Sequence, residues 1–232
     1  MDCHLHCSTI PHLLSKNPTG KPQLGARLLS KSVRTRPVRA LAVAKPKTDS
    51  YNVGIKTLDG CKIGFSGYNL EYNANGGKGA GHRTRLSDGD LRDSVAVSFD
   101  PKTVYIPPVT SATTKMYGWP MPPFLKIEIV PEVLQGSINE ESGKIDIKFR
   151  AKYWFSIGDG YKAPPIIVET VLTSDESRGK RGSAKGKRRG KDGRCRLVGI
   201  ATLGPLKDGY MDALLGLPAE CVTEMNAIIY FT

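Results

Sequence analysis

From Lys144 to Ser156 the chain alternates almost without a break. Ile145, Ile147, Phe149, Ala151, Tyr153 and Phe155 fall on one side, and Lys144, Asp146, Lys148, Arg150 and Lys152 on the other. Successive side chains of a strand point to opposite faces, so this is a strand with one dry face and one wet one. A helix would spread the same charges around its whole circumference. Only Trp154 interrupts the polar side, near its end. A half-buried strand of this length needs other strands beside it, and a second apolar surface to cover its dry face.

The rest of the chain supplies the strands. Runs of β-branched and aromatic residues, bounded by Gly, Pro, Asn and Asp, recur at short intervals. Tyr51–Leu58 and Lys62–Leu70 read as strands joined by a hairpin turn at Asp59-Gly60. A loop is expected from about Asn73 to Arg92. Ser94–Phe99 follows and ends at Asp100-Pro101, and Lys102–Ile106 reads as a further short strand. Pro107–Pro123, with Pro107, Pro108, Pro120, Pro122 and Pro123, cannot form a central strand, because proline lacks the ladder donor. Phe124–Gln135 and the alternating strand flank Asn139-Glu140-Glu141-Ser142-Gly143, a loop-like gap, and Ile166–Thr173 and Arg196–Leu203 are the next strands, separated by a basic loop. Asp208–Leu217 is the one helical stretch, stopped by Gly216 and Pro218. Cys221–Phe231 is the last strand and should be paired within the sheet. The fold class is therefore all-β and mainly antiparallel, a sandwich or barrel of about eight strands with one short helix near the C-terminus.

The net charge of +12 is unevenly placed. Residues 1–40 contribute +6 and residues 178–196 contribute +9, which leaves −3 for everything else. Between Asp2 and Asp49 there is no acid, and Ser, Thr, Leu, Pro and Arg dominate. That composition reads as an organelle transit peptide over residues 1–40, followed by a linker at 41–50. Pro11, Pro18 and Pro22 break any early amphipathic helix, and no Arg precedes Arg27, so a plastid destination is expected over a mitochondrial one. Residues 51–232 form a single β-rich domain, placed in the chloroplast stroma or at the stromal face of the thylakoid. No apolar stretch is long enough for a transmembrane helix.

Catalytic signatures are sparse. Beyond the leader the histidines reduce to His82, which reads as a residue of a Gly-rich loop. No nucleophile elbow is present. The Cys3-His4-Leu5-His6-Cys7 cluster is too compressed for paired zinc ligands. Gly76–Gly81 matches no phosphate-binding spacing, and Asp88, Asp90 and Asp93 lack the order of a calcium loop. Cys61, Cys195 and Cys221 cannot all pair, and the cations Lys191, Arg194 and Arg196 around Cys195 point to a lowered thiol pKa and weak redox character. No cofactor, metal or catalytic set is expected.

Two segments draw attention as contact surfaces. Residues 174–195 are rich in Lys, Arg, Gly and Ser with no aromatic or β-branched residue, and read as a disordered basic loop. Arg178, Lys180, Arg181, Lys185, Lys187, Arg188, Arg189 and Lys191 are its candidate contacts to anions or to a partner. Tyr117, Trp119 and Met121, set among prolines, are a candidate docking surface or a lid over one end of the sheet. The leading functional expectation is a non-enzymatic plastid binding or assembly protein acting through protein contacts. Electrostatic binding of nucleic acid or an anionic membrane through 178–196 is the alternative. A small-ligand carrier or an enzyme using a barrel interior is the third.

Overall fold

The computed structural model describes residues 51–65, 67–86, 93–180 and 182–232. The leader, the linker, Asp88, Asp90 and Arg181 lie outside the described residues. In chain order the strands are β1 (Val53–Thr57), β2 (Cys61–Phe65), β3 (Tyr68–Tyr72), β4 (Lys78–Arg85), β5 (Ser94–Phe99), β6 (Thr114–Met116), β7 (Trp119–Pro120), β8 (Leu125–Asn139), β9 (Ile145–Ile157) and β10 (Tyr161–Lys162). Then come β11 (Ile166–Thr173), β12 (Glu176–Arg178), β13 (Ser183–Lys185), β14 (Arg194–Leu203), the helix α1 (Gly209–Leu215) and β15 (Ala219–Phe231).

Eight strands close a ring in the order β1-β4-β5-β8-β9-β11-β14-β15, with β15 returning to β1 and every joint antiparallel. Closure removes the exposed edges of an open sheet. The all-β, antiparallel expectation holds. The inward face of β9 is the one its alternation names: Ile145, Ile147 and Ala151 are fully buried. On its outer face Lys148 and Arg150 pair with Glu169 of β11, while Arg150 and Lys152 pair with Glu132 of β8. Pro131, inside β8, is tolerated because the ladder slips there between Pro131 and Val133.

Several local expectations are corrected. Asp59-Gly60 does not join a hairpin. β1 and β2 lie end to end along one edge of β15, opposite Ala227–Phe231 and Cys221–Glu224 respectively. Residues 58–60 step between them, held by Leu58 N–H to Asn226 O (2.9 Å) and by Asn226 Nδ2 to the carbonyls of Asp59 and Gly60 (both 3.0 Å). The hairpin turn sits instead at Gly67, with φ +86°, between β2 and β3. The glycine-rich part of the expected loop 73–92 contains strand β4. Its glycines mark close approach: a Cβ on Gly81 would lie 2.6 Å from Phe99 Cα, too near for any other residue. Lys102–Ile106 is not a strand, and only Tyr105 bridges to Lys78.

The basic segment 174–195 is folded where it is described. β12 and β13 pair as a hairpin, and Lys187 and Arg196 exchange two backbone hydrogen bonds (2.9 and 3.0 Å). Asp175 takes the Arg188 Nε at 2.9 Å, and the Lys180 N–H donates to Glu220 at 2.7 Å. Composition suggested disorder because the segment buries almost no apolar surface of its own. Its order comes from backbone pairing with the barrel end and from acids placed beside its cations.

Beyond β2 the sheet continues through β3, β6 and β7 as a flap. Ile63 of β2 and Leu70 and Tyr72 of β3 are buried in the core.

Candidate functional site

The sequence-nominated groups for chemistry are dispersed or closed off. His82 is on β4, not in a loop, and its ring stacks on Tyr51 at 5.1 Å. Cys61, Cys195 and Cys221 are free and buried. Burial pushes the Cys195 thiol up to about 12, so the nearby cations do not make it a thiolate; desolvation exceeds their attraction. The same cause raises Cys221 to about 11. Among the described residues no three His, Cys, Asp or Glu side chains gather to hold a metal ion, and no helix is long and apolar enough to cross a membrane.

The basic candidates sit on the β12–β13 hairpin and the stretch after it, and several are engaged internally. Arg178 pairs with Glu176 at 2.8 Å. Arg188 pairs with Asp175. Arg189 donates to Ile229 O at 2.9 Å and lies 4.8 Å from the Phe231 ring centre. Lys180, Lys185, Lys187 and Lys191 point to solvent.

The Pro-aromatic stretch divides. Tyr117 (φ +53°) and Gly118 (φ +83°) form the tight turn between β6 and β7, both residues with positive φ as such hairpins require. Tyr117 donates its hydroxyl to Gly67 O at 2.7 Å, and Trp119 is 77% exposed. Met121 is 2% exposed, so it is part of the wall beneath and not a free contact.

Met121 opens on a groove at this end of the barrel. Its volume is about 260 Å³, and its walls come from the flap (Tyr68, Leu70, Met116), the β8 approach (Met121, Phe124, Leu125), the ends of β8 and β9, and α1 (Tyr210, Leu214, Leu215). α1 is seated firmly. Asp208 caps it by accepting from the N–H groups of Tyr210 and Met211, both 3.1 Å. The Tyr161 hydroxyl donates to the other Asp208 oxygen at 2.8 Å, and the Leu206 N–H donates to Asp212 at 2.7 Å. Gly216 ends the helix in the left-handed conformation. Met211 and Leu215 plug the barrel, whereas Tyr210 and Leu214 stay exposed on the groove side together with Phe124.

Two voids lie inside the barrel below this groove. One, of about 20 Å³, shares Leu70, Ile127, Phe155 and Leu215 with the groove. The other, of about 70 Å³, shares Ile63 and Tyr153 with the first and extends to Thr57, Tyr72, Lys78 and Tyr105. Their walls are overwhelmingly aliphatic and aromatic.

The groove residues Phe124, Tyr210 and Leu214 were not singled out from sequence. A signal existed for two of them: in Gly209–Leu215 apolar residues occupy both sides of a seven-residue helix (Tyr210 and Leu214, Met211 and Leu215). One buried face accounts for only half of that. No protein-family model, curated protein or solved structure matches the chain.

Proposed function

We propose that this is a binding protein that holds a small apolar molecule at the helix-capped end of its barrel. The observation that carries the reading is the groove of about 260 Å³, walled by apolar side chains from four parts of the chain and rimmed by exposed Phe124, Tyr210 and Leu214. Exposed apolar surface concentrated at a concavity is the usual mark of a binding site. The small voids that share walls with it favour a slender molecule over a protein segment, since only a thin group could occupy them.

The neutral dye N-phenyl-1-naphthylamine should brighten on titration with the protein. The double variant Tyr210→Asp/Leu214→Asp should weaken dye binding by more than about tenfold while leaving the melting temperature nearly unchanged, because both side chains are already exposed. A protein that leaves the dye dark sinks the reading. Trp119, the most exposed large apolar side chain among the described residues, favours a second reading, assembly through protein contacts at the β6–β7 turn. A partner captured from gently lysed organelles, and lost with Trp119→Ala but kept in the double variant, would move the function there.

The acid-poor, hydroxyl-rich composition of residues 1–40 supports action inside a plastid. Residues 1–50 fused to a fluorescent protein should carry it into plastids; a cytosolic or mitochondrial signal counts against that destination.

A further inference from the structure

The groove and the two voids form a single row. Leu70, Ile127, Phe155 and Leu215 are walls of both the groove and the 20 Å³ void, and Ile63 and Tyr153 are walls of both voids. The middle member is the smallest, and Leu215 of α1 stands on the wall it shares with the groove, where a shift of that side chain would make a neck. The 70 Å³ void beyond it has room for the tip of a molecule and no more, given about 10–15 Å³ for each water-sized position.

Tyr153 makes this row chemically specific. Its hydroxyl has no hydrogen-bond partner among the described residues. Tyr153 is half-buried and is a wall of both voids, so its ring and hydroxyl border open space there. Of the other hydroxyls on the inner void, Thr57 donates to Ala74 O and Tyr72 to Pro107 O, Tyr105 stands exposed at the rim, and Thr223 is half-buried on β15. A buried water needs two to four polar partners, and here the Tyr153 hydroxyl, deep on the wall shared by both voids, is surrounded mostly by hydrocarbon. An oxygen whose other bonds go to carbon fits that situation better than water does.

Charge narrows the choice. Lys78 and Glu224 are the charged side chains on the inner void; Lys78 is exposed and Glu224 half-buried, and their signs oppose. A carboxylate drawn past the neck would leave water without a buried cation to meet it, at high cost. Burial also holds the Tyr153 phenol well above its ordinary pKa, so it stays a neutral donor.

We infer that the barrel takes an aliphatic chain headed by one un-ionised oxygen, an alcohol or a carbonyl. The oxygen accepts from the Tyr153 hydroxyl inside the barrel, and the chain runs back through the neck at Leu215 into the groove. This rests on the groove being a ligand site, and it adds the ligand class and the direction of entry.

The test is calorimetry on the full chain with 1-octanol and octanoate, beside the dye titration. The native protein should bind 1-octanol more tightly than octanoate by about tenfold or more. Tyr153→Phe, nearly isosteric, should weaken 1-octanol by about fivefold, the worth of one hydrogen bond, and leave the dye unchanged. Ile63→Phe, which fills the space between the voids without touching the groove, should remove 1-octanol binding and spare the dye. Equal affinity for octanoate, or unchanged 1-octanol binding by Tyr153→Phe, overturns the inference while the groove survives if the dye still binds. Loss of both ligands in the native protein overturns the groove as well.

Discussion

Replacing Ile147 by alanine should lower the free energy of unfolding by about 2–5 kcal/mol, the range for deleting a buried aliphatic side chain where the cavity cannot close. Ile147 has no exposed surface. It stands between Gly136 of β8 and Leu172 of β11, and a Cβ on Gly136 would already lie 2.7 Å from Ile147 Cα. The strands on both sides are fixed by their ladders, so the wall cannot collapse into the space left. Urea unfolding should show a lower midpoint with an unchanged slope, since the surface exposed on unfolding stays the same. Lys148→Ala, one residue on, is the control. Its ammonium pairs with Glu169 at 2.8 Å, but both side chains are half in solvent, and such pairs contribute between zero and about 1 kcal/mol. If the two variants lose similar stability, β9 does not divide the barrel wall into a dry and a wet face as described.

That division is also where the sequence was most legible. Between Lys144 and Ser156 every residue but Trp154 states its face, because a half-buried strand must keep charge on one side and hydrocarbon on the other. The helix at Gly209–Leu215 was legible for a similar reason: Asp208 and Gly216 are cap residues with few other uses in that spacing. Legibility failed where a residue's meaning depends on a distant partner. Gly79 and Gly81 look like loop glycines, yet they sit in β4 because Val104 and Phe99 come too close for a side chain. Asp59-Gly60 looks like a hairpin turn, yet Asn226, far along the chain, converts it into a step along β15. The groove was hidden for the same reason. Phe124 and Tyr210 are separated by most of the barrel in sequence, and each alone is only an exposed aromatic. Tyr153 was correctly assigned to the inner face, but nothing local distinguishes a tyrosine that fills a core from one that faces a void.

The basic segment carries the last large effect. Arg189→Ala should cost about 2 kcal/mol of stability, although by composition it belongs among the solvated contacts. Its Nε donates to Ile229 O at 2.9 Å and its guanidinium stacks 4.8 Å from the centre of Phe231, both on the terminal strand β15. A charged donor to a partly buried carbonyl contributes about 1.5–3 kcal/mol, and the stacked cation adds a few tenths or more. The Arg189 N–H also ties to Gly143 O at 2.8 Å, so the residue joins the β8–β9 turn to the closing strand of the ring. Lys191→Ala, two residues on and exposed, should change stability by less than about 0.5 kcal/mol. Thermal unfolding of the two variants separates the possibilities. Equal, negligible losses would return the whole segment to the role of a free cationic surface. The expected contrast instead makes Arg189 a fastener of the barrel, and leaves Lys180, Lys185, Lys187 and Lys191 as exposed cations.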